Sequence, residues 1–249
     1  MKLIIDSDSL LYKFSFANQK SVTWGNGTKS IIVDPPKKAI AELDSFIQDM
    51  KDGFETEDYT LYLTAGKNFR YTIDPLYKDN RKSLEKPALF NVLKEHLINN
   101  HPTIITERIE ADDLCCIHMK QLKDDAILCH IDKDLNQAVG RHYNYNTGDE
   151  YYITEEQAKD FYYYQVLRGD PVDGIKGCPK IGEMKAKKII DEIKEKELDY
   201  WTRIVEEYNK RGATELDAIK TAQLVYMLQQ EDYELEINNF NPIFGQSGV

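Results

Sequence analysis

The stretch IEADDLCCIHM, Ile109 to Met119, places three carboxylates directly before a run of mainly apolar residues. The apolar run predicts a buried helix over Asp112–Leu122. Acidic side chains are favoured at a helix N-terminus, because they face free backbone N–H groups and the positive end of the helix dipole. Neighbouring carboxylates also repel one another, and a divalent cation relieves that repulsion. The stretch alone therefore fits either a helix start or a metal site.

Strands and helices alternate on both sides of this stretch. The predicted strands are Leu3–Ile5, Tyr59–Thr64, Thr103–Thr106 and Ala126–Ile131. The predicted helices are Ser9–Phe16, Pro35–Met50, Pro87–Asn99 and Asp112–Leu122, and a hairpin is predicted over Tyr143–Ile153. This alternation predicts an α/β fold with a mostly parallel central sheet flanked by helices. A capping box at Thr154 opens a helical C-terminal region, so we expect two parts, 1–155 and 156–249.

The charge balance excludes a protein that binds nucleic acid through a globally basic surface. The chain has 32 Lys and Arg against 43 Asp and Glu, a net charge of −11, although a local basic track is compatible with that total. The sequence contains no run typical of a membrane span, and the opening MKLIIDSD is not typical of a signal peptide. The four cysteines show no CxxC spacing, which argues against a zinc site of that type. We expect a cytoplasmic protein without a membrane partner.

Acidic residues follow the predicted strands in several distant segments of the chain. The candidate metal ligands are Asp6, Glu110, Asp112, Asp113, Asp132, Asp134, Asp170 and Asp173. In parallel α/β sheets, ligand sites lie beyond the carboxyl ends of the strands, where these loops can converge. Oxygen-rich sites suit Mg²⁺ or Mn²⁺, and two such ions about 4 Å apart support phosphodiester hydrolysis.

Two further segments are basic. GIKGCPKIGEMKAKKII, Gly174 to Ile190, has the form of a glycine-rich connection between helices, with Gly177 and Gly182 allowing close backbone approach. The N–H groups at the start of its second helix can bind phosphate, and its lysines add a basic face. NFRYTIDPLYKDNRKS, 68–83, interleaves cations with tyrosines, which can neutralise phosphates and stack on bases. Each segment by itself is also typical of a solvent-facing charged surface.

Together these motifs resemble the 5′ nuclease family: flap endonucleases, the 5′ nuclease domains of bacterial DNA polymerases, and bacteriophage 5′→3′ exonucleases. The compact phage exonucleases are the nearest match, and the resemblance runs from Leu3 to about Ile190. The matching motifs are the first-strand Asp at Asp6, YKxNR at Tyr77–Arg81, ExDD at Glu110–Asp113, DxD at Asp132–Asp134 and GDxxDNIxGxxGIGxKxA at Gly169–Ala186. Gly174 stands where the last motif usually has asparagine.

The resemblance implies a PIN-like nuclease core, a basic arch or clamp near residues 70–100, and a helix-three-turn-helix that holds duplex DNA, often with a K⁺ ion. It implies a first Mg²⁺ or Mn²⁺ site at Asp6, Glu110 and Asp112 with Asp113 nearby, and a second at Asp132, Asp134, Asp170 and Asp173. Lys78 and Arg81 would stabilise phosphoryl charge. The implied DNA contacts are Arg70, Tyr77, Lys82, Gly177, Lys180, Gly182, Lys185 and Lys187.

The implied activity is that of a 5′→3′ exonuclease or structure-specific flap endonuclease that uses two divalent ions. Its substrates would be DNA with 5′ ends, flaps or primer–template junctions, and RNA primers on DNA. We expect a monomer that works with replication proteins.

One departure from the family pattern concerns the first metal site. The family carries another Asp after its second core strand, whereas LYLTAGKNFR has Ala65 there. Asp8 or a water could substitute, the first ion could be weakly held, or the residue could have been changed to inactivate the enzyme. A structure-specific DNA-binding protein with little catalysis is the main alternative. A PIN-type ribonuclease and a Ca²⁺-stabilised structural domain are further alternatives, the last leaving the basic segments unexplained.

Overall fold

The computed structural model describes residues 1–81 and 85–229 of the chain. The six-stranded sheet has the order β5-β4-β1-β6-β7-β8, and two short hairpins pair β2 with β3 and β9 with β10. The strands are β1 Lys2–Asp6, β2 Gln19–Thr23, β3 Lys29–Val33, β4 Tyr59–Asn68, β5 Thr103–Arg108, β6 Ala126–His130, β7 Gly140–Asn144, β8 Asp149–Ile153, β9 Gly169–Asp170 and β10 Ile175–Lys176.

The helices account for most of the remaining described chain. They are α1 Asp8–Ala17, α2 Pro36–Gly53, α3 Arg70–Ile73, α4 Phe90–Asn100, α5 Ala111–Leu122, α6 Glu155–Arg168, α7 Glu183–Glu195, α8 Tyr200–Lys210 and α9 Glu215–Val225. Helix α6 starts at the predicted capping box, in which the Thr154 side chain accepts the Gln157 N–H and the Gln157 side chain accepts the Thr154 N–H. In the described part of the chain, no helix is long and apolar enough to cross a membrane.

Strand β1 forms the centre of the large sheet. It pairs in parallel with β4, where Leu3 lies opposite Tyr59, and with β6, where Leu3 lies opposite Ile127. Leu3, Ile4 and Ile5 are fully buried, as expected for a strand covered on both faces, which reads as a continuous apolar run. The predicted class, a mostly parallel sheet flanked by helices with a helical C-terminal region, is confirmed.

The chain forms two compact units. The sheet unit comprises Met1–Gly66, Leu84–Asp132 and Gly140–Tyr152, and the helical unit comprises Lys67–Ser83, Lys133–Val139 and Ile153–Val249. This division differs from the predicted one at residue 155, because two earlier segments cluster with the C-terminal helices. The first of these segments is held by Arg70, whose guanidinium donates to the carbonyls of Leu224 and Tyr226 in the same unit.

The hairpin of β2 and β3 was not predicted. Its strands pair antiparallel with Gln19 opposite Val33, and most of their side chains are exposed. A strand without a buried face has no clear alternation of apolar and polar residues, which is the signal that predicts strands. The predicted hairpin over Tyr143–Ile153 corresponds to β7 and β8, neighbours in the sheet, but its first strand begins three residues earlier, at Gly140.

Candidate metal centre and nucleic-acid interface

Asp6 ends the central strand and lies in a crowded acidic environment within the sheet unit. Its carboxylate accepts the N–H of Asp8 over 3.2 Å and the hydroxyl of Ser9 over 2.8 Å, at the start of α1. Burial, together with the charges of Asp8 and Asp132, raises the pKa of Asp6 to about 7. A buried acid beside like charges is costly to ionise unless a cation compensates it.

Glu110 and Asp113 form a capping box at the start of α5. The Glu110 N–H donates to Oδ2 of Asp113 over 3.0 Å, and the Glu110 side chain accepts the N–H of Asp113 in return. Both side chains are buried, whereas Asp112 between them is partly exposed. The helix-start interpretation is therefore right for these residues. It does not compete with the metal interpretation, because a carboxylate has several lone-pair directions and a cap uses only some of them.

Asp8 places a carboxylate against the backbone of Thr64, the residue before Ala65. Ala65 lies inside β4, and the N–H of the preceding Thr64 lies 3.2 and 3.3 Å from the two oxygens of Asp8. Burial raises the pKa of Asp8, and the charge of Glu110 adds to the rise, while Thr64 and Lys94 oppose it. Of the explanations considered for Ala65, this contact favours substitution by Asp8.

The donor set of the sheet unit suits a hard divalent cation. The side chains of Asp6, Asp8, Glu110 and Asp112 offer only oxygen, the ligand type that Mg²⁺ and Mn²⁺ prefer. Burial, followed by the charges of Asp8 and Asp132, raises the pKa of Asp6, and a divalent cation would lower the cost of ionising it. The donor atoms of these residues are therefore of the type that suits the divalent ion implied by the resemblance.

A histidine chain supports the backbone at Asp132, and the sequence analysis did not predict it because the five histidines show no ligand spacing. Nδ1 of His130 lies 2.6 Å from the backbone oxygen of Asp132, and Nε2 lies 2.8 Å from Nδ1 of His142. Burial and His142 lower the pKa of His130 to about 3, so its imidazole is neutral at physiological pH. Because the Asp132 carbonyl can only accept, Nδ1 carries the proton and donates it. The one available sequence signal was the position of His130 at the end of a buried strand.

Within the helical unit, Asp134 and Asp170 share a lysine. Nζ of Lys133 lies 2.8 Å from Oδ1 of Asp134 and 3.1 Å from Oδ2 of Asp170, and Gln165 also donates to Asp134 over 2.8 Å. Burial acts to raise the pKa of Asp170, but the charge and hydrogen bond of Lys133 outweigh burial and hold it below its usual value. The Lys133 amine therefore supplies a positive charge that both carboxylates share.

In the same unit, Asp173 forms ion pairs with both predicted catalytic cations, Lys78 and Arg81. Nζ of Lys78 lies 3.4 Å from its Oδ2, and the guanidinium of Arg81 donates to its Oδ1. The Tyr77 hydroxyl donates to Oδ2 over 3.1 Å. The tyrosine ring is almost fully buried, at 3% exposure, so the prediction that Tyr77 contacts DNA is wrong. Its position is explained by the hydrogen bond to the carboxylate.

Arg70 is also misassigned as a DNA contact. Its side chain is fully buried, Nε donates to the carbonyl of Leu224 over 2.9 Å, and Nη2 donates to the carbonyl of Tyr226 over 2.6 Å. The Leu224 carbonyl belongs to the last turn of α9 and the Tyr226 carbonyl to the residue that caps it, where helical partners are lacking. The arginine therefore satisfies a helix end. The predicted DNA contact at Lys82 lies outside the described residues.

The connection between α6 and α7 contains the predicted glycines. A Cβ built on Gly177 would lie 2.3 Å from the backbone of both Arg168 and Gly169, so only glycine fits there. At Gly182, the N-cap of α7, nothing lies within 4 Å of an added Cβ. The predicted close backbone approach is therefore confirmed at Gly177, whereas at Gly182 no described part of the chain makes such an approach.

The lysines of this connection are exposed to solvent. Lys187 pairs with Glu183 over 2.7 Å, and Lys185 donates to the carbonyl of Lys180 over 3.3 Å. A cavity of about 480 Å³ is lined by Lys180, Lys185, Glu207, Lys210, Arg211 and Gly212. Its four cations outnumber its one carboxylate, so it can attract an anion such as a phosphate.

Comparison with known proteins identifies relatives across most of the chain. The family model described as "5'-3' exonuclease, N-terminal resolvase-like domain" matches residues 1–163. The exonuclease of Escherichia phage T7 is 23% identical over 267 residues, covering 93% of this chain and 89% of that protein. The 5'-3' exonuclease of Buchnera aphidicola subsp. Schizaphis graminum is 28% identical over 202 residues, covering 72% of this chain and 66% of that protein.

A solved structure shares the fold. The flap endonuclease of bacteriophage T5, in a pseudo-enzyme–product complex with DNA and metal ions, aligns with a TM-score of 0.68 and 20% identity. The alignment covers 90% of this chain and 88% of that chain. The likeness agrees with the parallel sheet and C-terminal helices described above.

Proposed function

This chain belongs to the 5′-3′ exonuclease family, and we propose that it is a divalent-metal-dependent DNA nuclease that acts at 5′ ends and flaps. The observation that carries the proposal is the crowding of Asp6, Asp8 and Asp132 at the carboxyl end of the central strands, where burial and repulsion raise the pKa of Asp6 to about 7. Parallel sheets place ligand sites at this edge. Of the relatives, the T5 flap endonuclease was crystallised with DNA and metal ions.

We propose that the sheet unit holds one Mg²⁺ or Mn²⁺ through Asp6, Glu110 and Asp112, with Asp8 in place of the acid missing at Ala65. Asp113 supports this group from the capping box. When bound, divalent ions would activate water and stabilise charge on the departing 3′-oxygen.

In the helical unit, Asp134, Asp170 and Asp173 are the proposed ligands of a second ion. We group Asp132 with the sheet unit instead, because its charge contributes to the raised pKa of Asp6. This grouping differs from the one implied by the family motifs.

Lys78 and Arg81 are proposed to stabilise negative charge on the phosphoryl oxygens of the substrate. Their ion pairs with Asp173 fix the two cations beside one carboxylate, so little reorganisation is needed when charge develops. Asp173 then acts both as a candidate ligand and as the residue that positions the two cations.

Duplex DNA is proposed to bind the connection between α6 and α7 and the start of α7. The exposed Lys180, Lys185 and Lys187 supply positive charge, and the first turn of α7 supplies free N–H groups for a phosphate. A K⁺ ion at this connection and cleavage of RNA primers on DNA are finer parts of the same proposal, drawn from the family resemblance.

The deciding experiment is cleavage of a 5′-labelled flap duplex in Mg²⁺, in Mn²⁺ and in EDTA, with Asp132→Asn as the matched variant. We expect cleavage that requires the metal and falls by at least about 100-fold in the variant, while flap binding persists. Cleavage of equal rate in EDTA, or full activity in Asp132→Asn, would contradict the proposal.

A second candidate function is structure-specific DNA binding with little catalysis, and Ala65 is the observation that favours it. If the family acid is needed, Ala65→Asp will raise cleavage greatly and leave DNA affinity unchanged. If Asp8 substitutes for it, the same variant will change cleavage little.

A further inference from the structure

A second cluster of ligand-type side chains lies in the sheet unit, on different elements from the acids described above. Oδ1 of Asp44 lies 2.7 Å from Nε2 of His96 and 3.0 Å from Nε2 of His101. Across residues 1–81 and 85–229, this is the one group of three or more His, Cys, Asp or Glu side chains whose ligand atoms all lie within 4.8 Å of one another.

The fold brings these three side chains together from two helices. Asp44 belongs to α2, His96 belongs to α4, and His101 follows the last residue of α4. The two imidazole rings meet edge to face with centroids 5.5 Å apart. The histidine side chains are mostly buried, at 15% and 11% exposure, whereas the Asp44 side chain is 41% exposed. The cluster is therefore ordered by packing and still reachable from solvent.

We infer that Asp44, His96 and His101 form a binding site for one divalent cation of the zinc type, completed by a water molecule. Two imidazole nitrogens and one carboxylate oxygen are ligands that Zn²⁺ accepts, in a set that leaves one tetrahedral position open. Nitrogen donors favour Zn²⁺ over Mg²⁺, whereas the oxygen-only acids of the sheet unit favour Mg²⁺ or Mn²⁺. The two kinds of site are therefore distinguished by the chemistry of their donors.

The distances are close to those that a zinc ion requires. With ligand bonds of about 2.0–2.1 Å, tetrahedral geometry separates two ligand atoms by about 3.3 Å. The separations of 2.7 and 3.0 Å in the cluster need to lengthen by only a few tenths of an ångström, which small side-chain rotations supply.

The outward nitrogens of the histidines have partners as well. Nδ1 of His101 lies 3.0 Å from the Tyr59 hydroxyl, whereas the side-chain NH2 group of Asn100 donates to Nδ1 of His96 over 3.2 Å. Nε2 of His96 therefore carries the proton in the metal-free arrangement, and metal binding at His96 requires the Asn100 side chain to move. When Nε2 of His101 binds a metal, the imidazole proton resides on Nδ1, where the Tyr59 oxygen can accept it. Metal-ligating histidines normally have such a partner, which fixes the ring orientation.

A hydrogen-bonded arrangement without metal is the competing explanation. In it, both Nε2–H groups donate to Asp44 and the cluster only joins α2 to α4. The two explanations differ in one measurable property, the affinity for a nitrogen-preferring cation.

The test is calorimetric titration of the full chain with Zn²⁺ in a large excess of Mg²⁺, which occupies the oxygen-only acids. The variants are His96→Gln, His101→Gln and Tyr59→Phe. His118→Gln, a histidine of the same unit that bonds to the Tyr62 hydroxyl, is the matched control, and Asp132→Asn controls for binding at the nuclease acids.

We expect one equivalent of Zn²⁺ to bind the unaltered chain. Loss of a ligand in His96→Gln or His101→Gln should weaken binding by more than about 100-fold, and Tyr59→Phe should weaken it by about 10-fold. The two controls should bind as the unaltered chain does. The Co²⁺ derivative of the unaltered chain should show the visible absorption of a tetrahedral nitrogen-ligated ion, which tests the site without any variant.

Absence of Zn²⁺ binding in excess Mg²⁺ would overturn the inference. Binding that His96→Gln and His101→Gln leave unchanged, or that Asp132→Asn abolishes, would overturn it too. Circular dichroism in EDTA establishes that each variant is folded before its titration is interpreted.

Discussion

Nζ of Lys133 lies 3.1 Å from Oδ2 of Asp170, a carboxylate that is only 3% exposed. The same amine bonds to Asp134, so two candidate metal ligands already share one positive charge. Asp6 in the sheet unit differs, since burial and then the charges of Asp8 and Asp132 raise its pKa. Asp134 and Asp170 therefore have a positive charge beside them before any metal binds, whereas Asp6 has negative charges beside it.

Replacing this lysine should make metal binding by the helical unit tighter. In Lys133→Gln, the positive charge that competes with a cation for Asp134 and Asp170 is removed, so divalent affinity should rise on the order of tenfold. Titration with Mn²⁺, followed by calorimetry or electron paramagnetic resonance, measures it. Lys187→Gln, whose partner Glu183 is exposed, is the control. Unchanged or weaker binding in Lys133→Gln would show that the lysine does not compete.

Asp8 should be indispensable in this chain. Asp8→Asn retains the shape of the side chain but removes the charge held at the Thr64 N–H, so flap cleavage should fall by about 100-fold or more. The double variant Asp8→Asn, Ala65→Asp restores a carboxylate near that position and should recover part of the lost rate. Initial rates at saturating Mg²⁺ measure both effects. Full activity in Asp8→Asn would remove Asp8 from the proposed ligands.

The metal-free protein should lose stability as the pH rises through the titration of Asp6. Its pKa is raised to about 7 from the ordinary 3.8, so the folded state binds this proton more tightly than the unfolded state. The stabilising contribution is therefore complete below about pH 4 and is lost as the pH rises through 7. The always neutral Asp6→Asn should be more stable than the unaltered chain at pH 8 in EDTA, by about 1–3 kcal/mol.

Urea unfolding at pH 4 and pH 8 provides the comparison for Asp6→Asn. The gain should be small at pH 4, and Asp49→Asn, on an exposed part of α2, should show none at either pH. A gain that is equal at both pH values would contradict the electrostatic explanation.

Arg70 should be important for stability. Arg70→Met leaves the buried carbonyls of Leu224 and Tyr226 without their donors, and the free energy of unfolding should fall by about 2–4 kcal/mol. Flap affinity measured below the melting temperature should change little. Lys67→Met removes an exposed cation close by in the sequence and should have a small effect on stability. Weaker DNA binding by a fully stable Arg70→Met would restore the original DNA-contact prediction.

Gly177 and Gly182 should respond differently to the same methyl group. Gly177→Ala forces Cβ against the backbone of Arg168 and Gly169, so the free energy of unfolding should fall by about 2–4 kcal/mol. Gly182→Ala places Cβ in open space at a helix N-cap and should change stability by less than about 1 kcal/mol. Urea unfolding of both variants measures the contrast. Equal losses would show that packing does not select glycine at 177.

Much of the sheet unit was predictable because its strands are apolar and end in acids. The apolar run at Leu3–Ile5 is continuous because both faces of β1 are covered, and such a run can be recognised from the sequence. The β2–β3 hairpin was missed because its side chains are mostly exposed. Without a buried face, its sequence shows no regular alternation of apolar and polar residues.

The candidate site was predictable as a set of acids but not as a set of contacts. Spacing identified Asp170 and Asp173, yet nothing local showed that Lys133 and Arg81 would pair with them, since those partners are 37 and 92 residues away in the chain. The same limitation explains Arg70, whose acceptors lie more than 150 residues later. A basic residue near an aromatic residue has the same appearance in sequence whether it contacts DNA or a distant carbonyl.

The capping box at Glu110 and Asp113 affects how such chains can lose activity over evolution. Because these two carboxylates also begin α5, a descendant that no longer cuts DNA would still be selected to keep them in order to fold. Asp112 is not one of the two capping residues, so folding constrains it less. When catalysis is abandoned, substitution should therefore appear at Asp112 first, and this position is the more informative marker of a working nuclease among relatives.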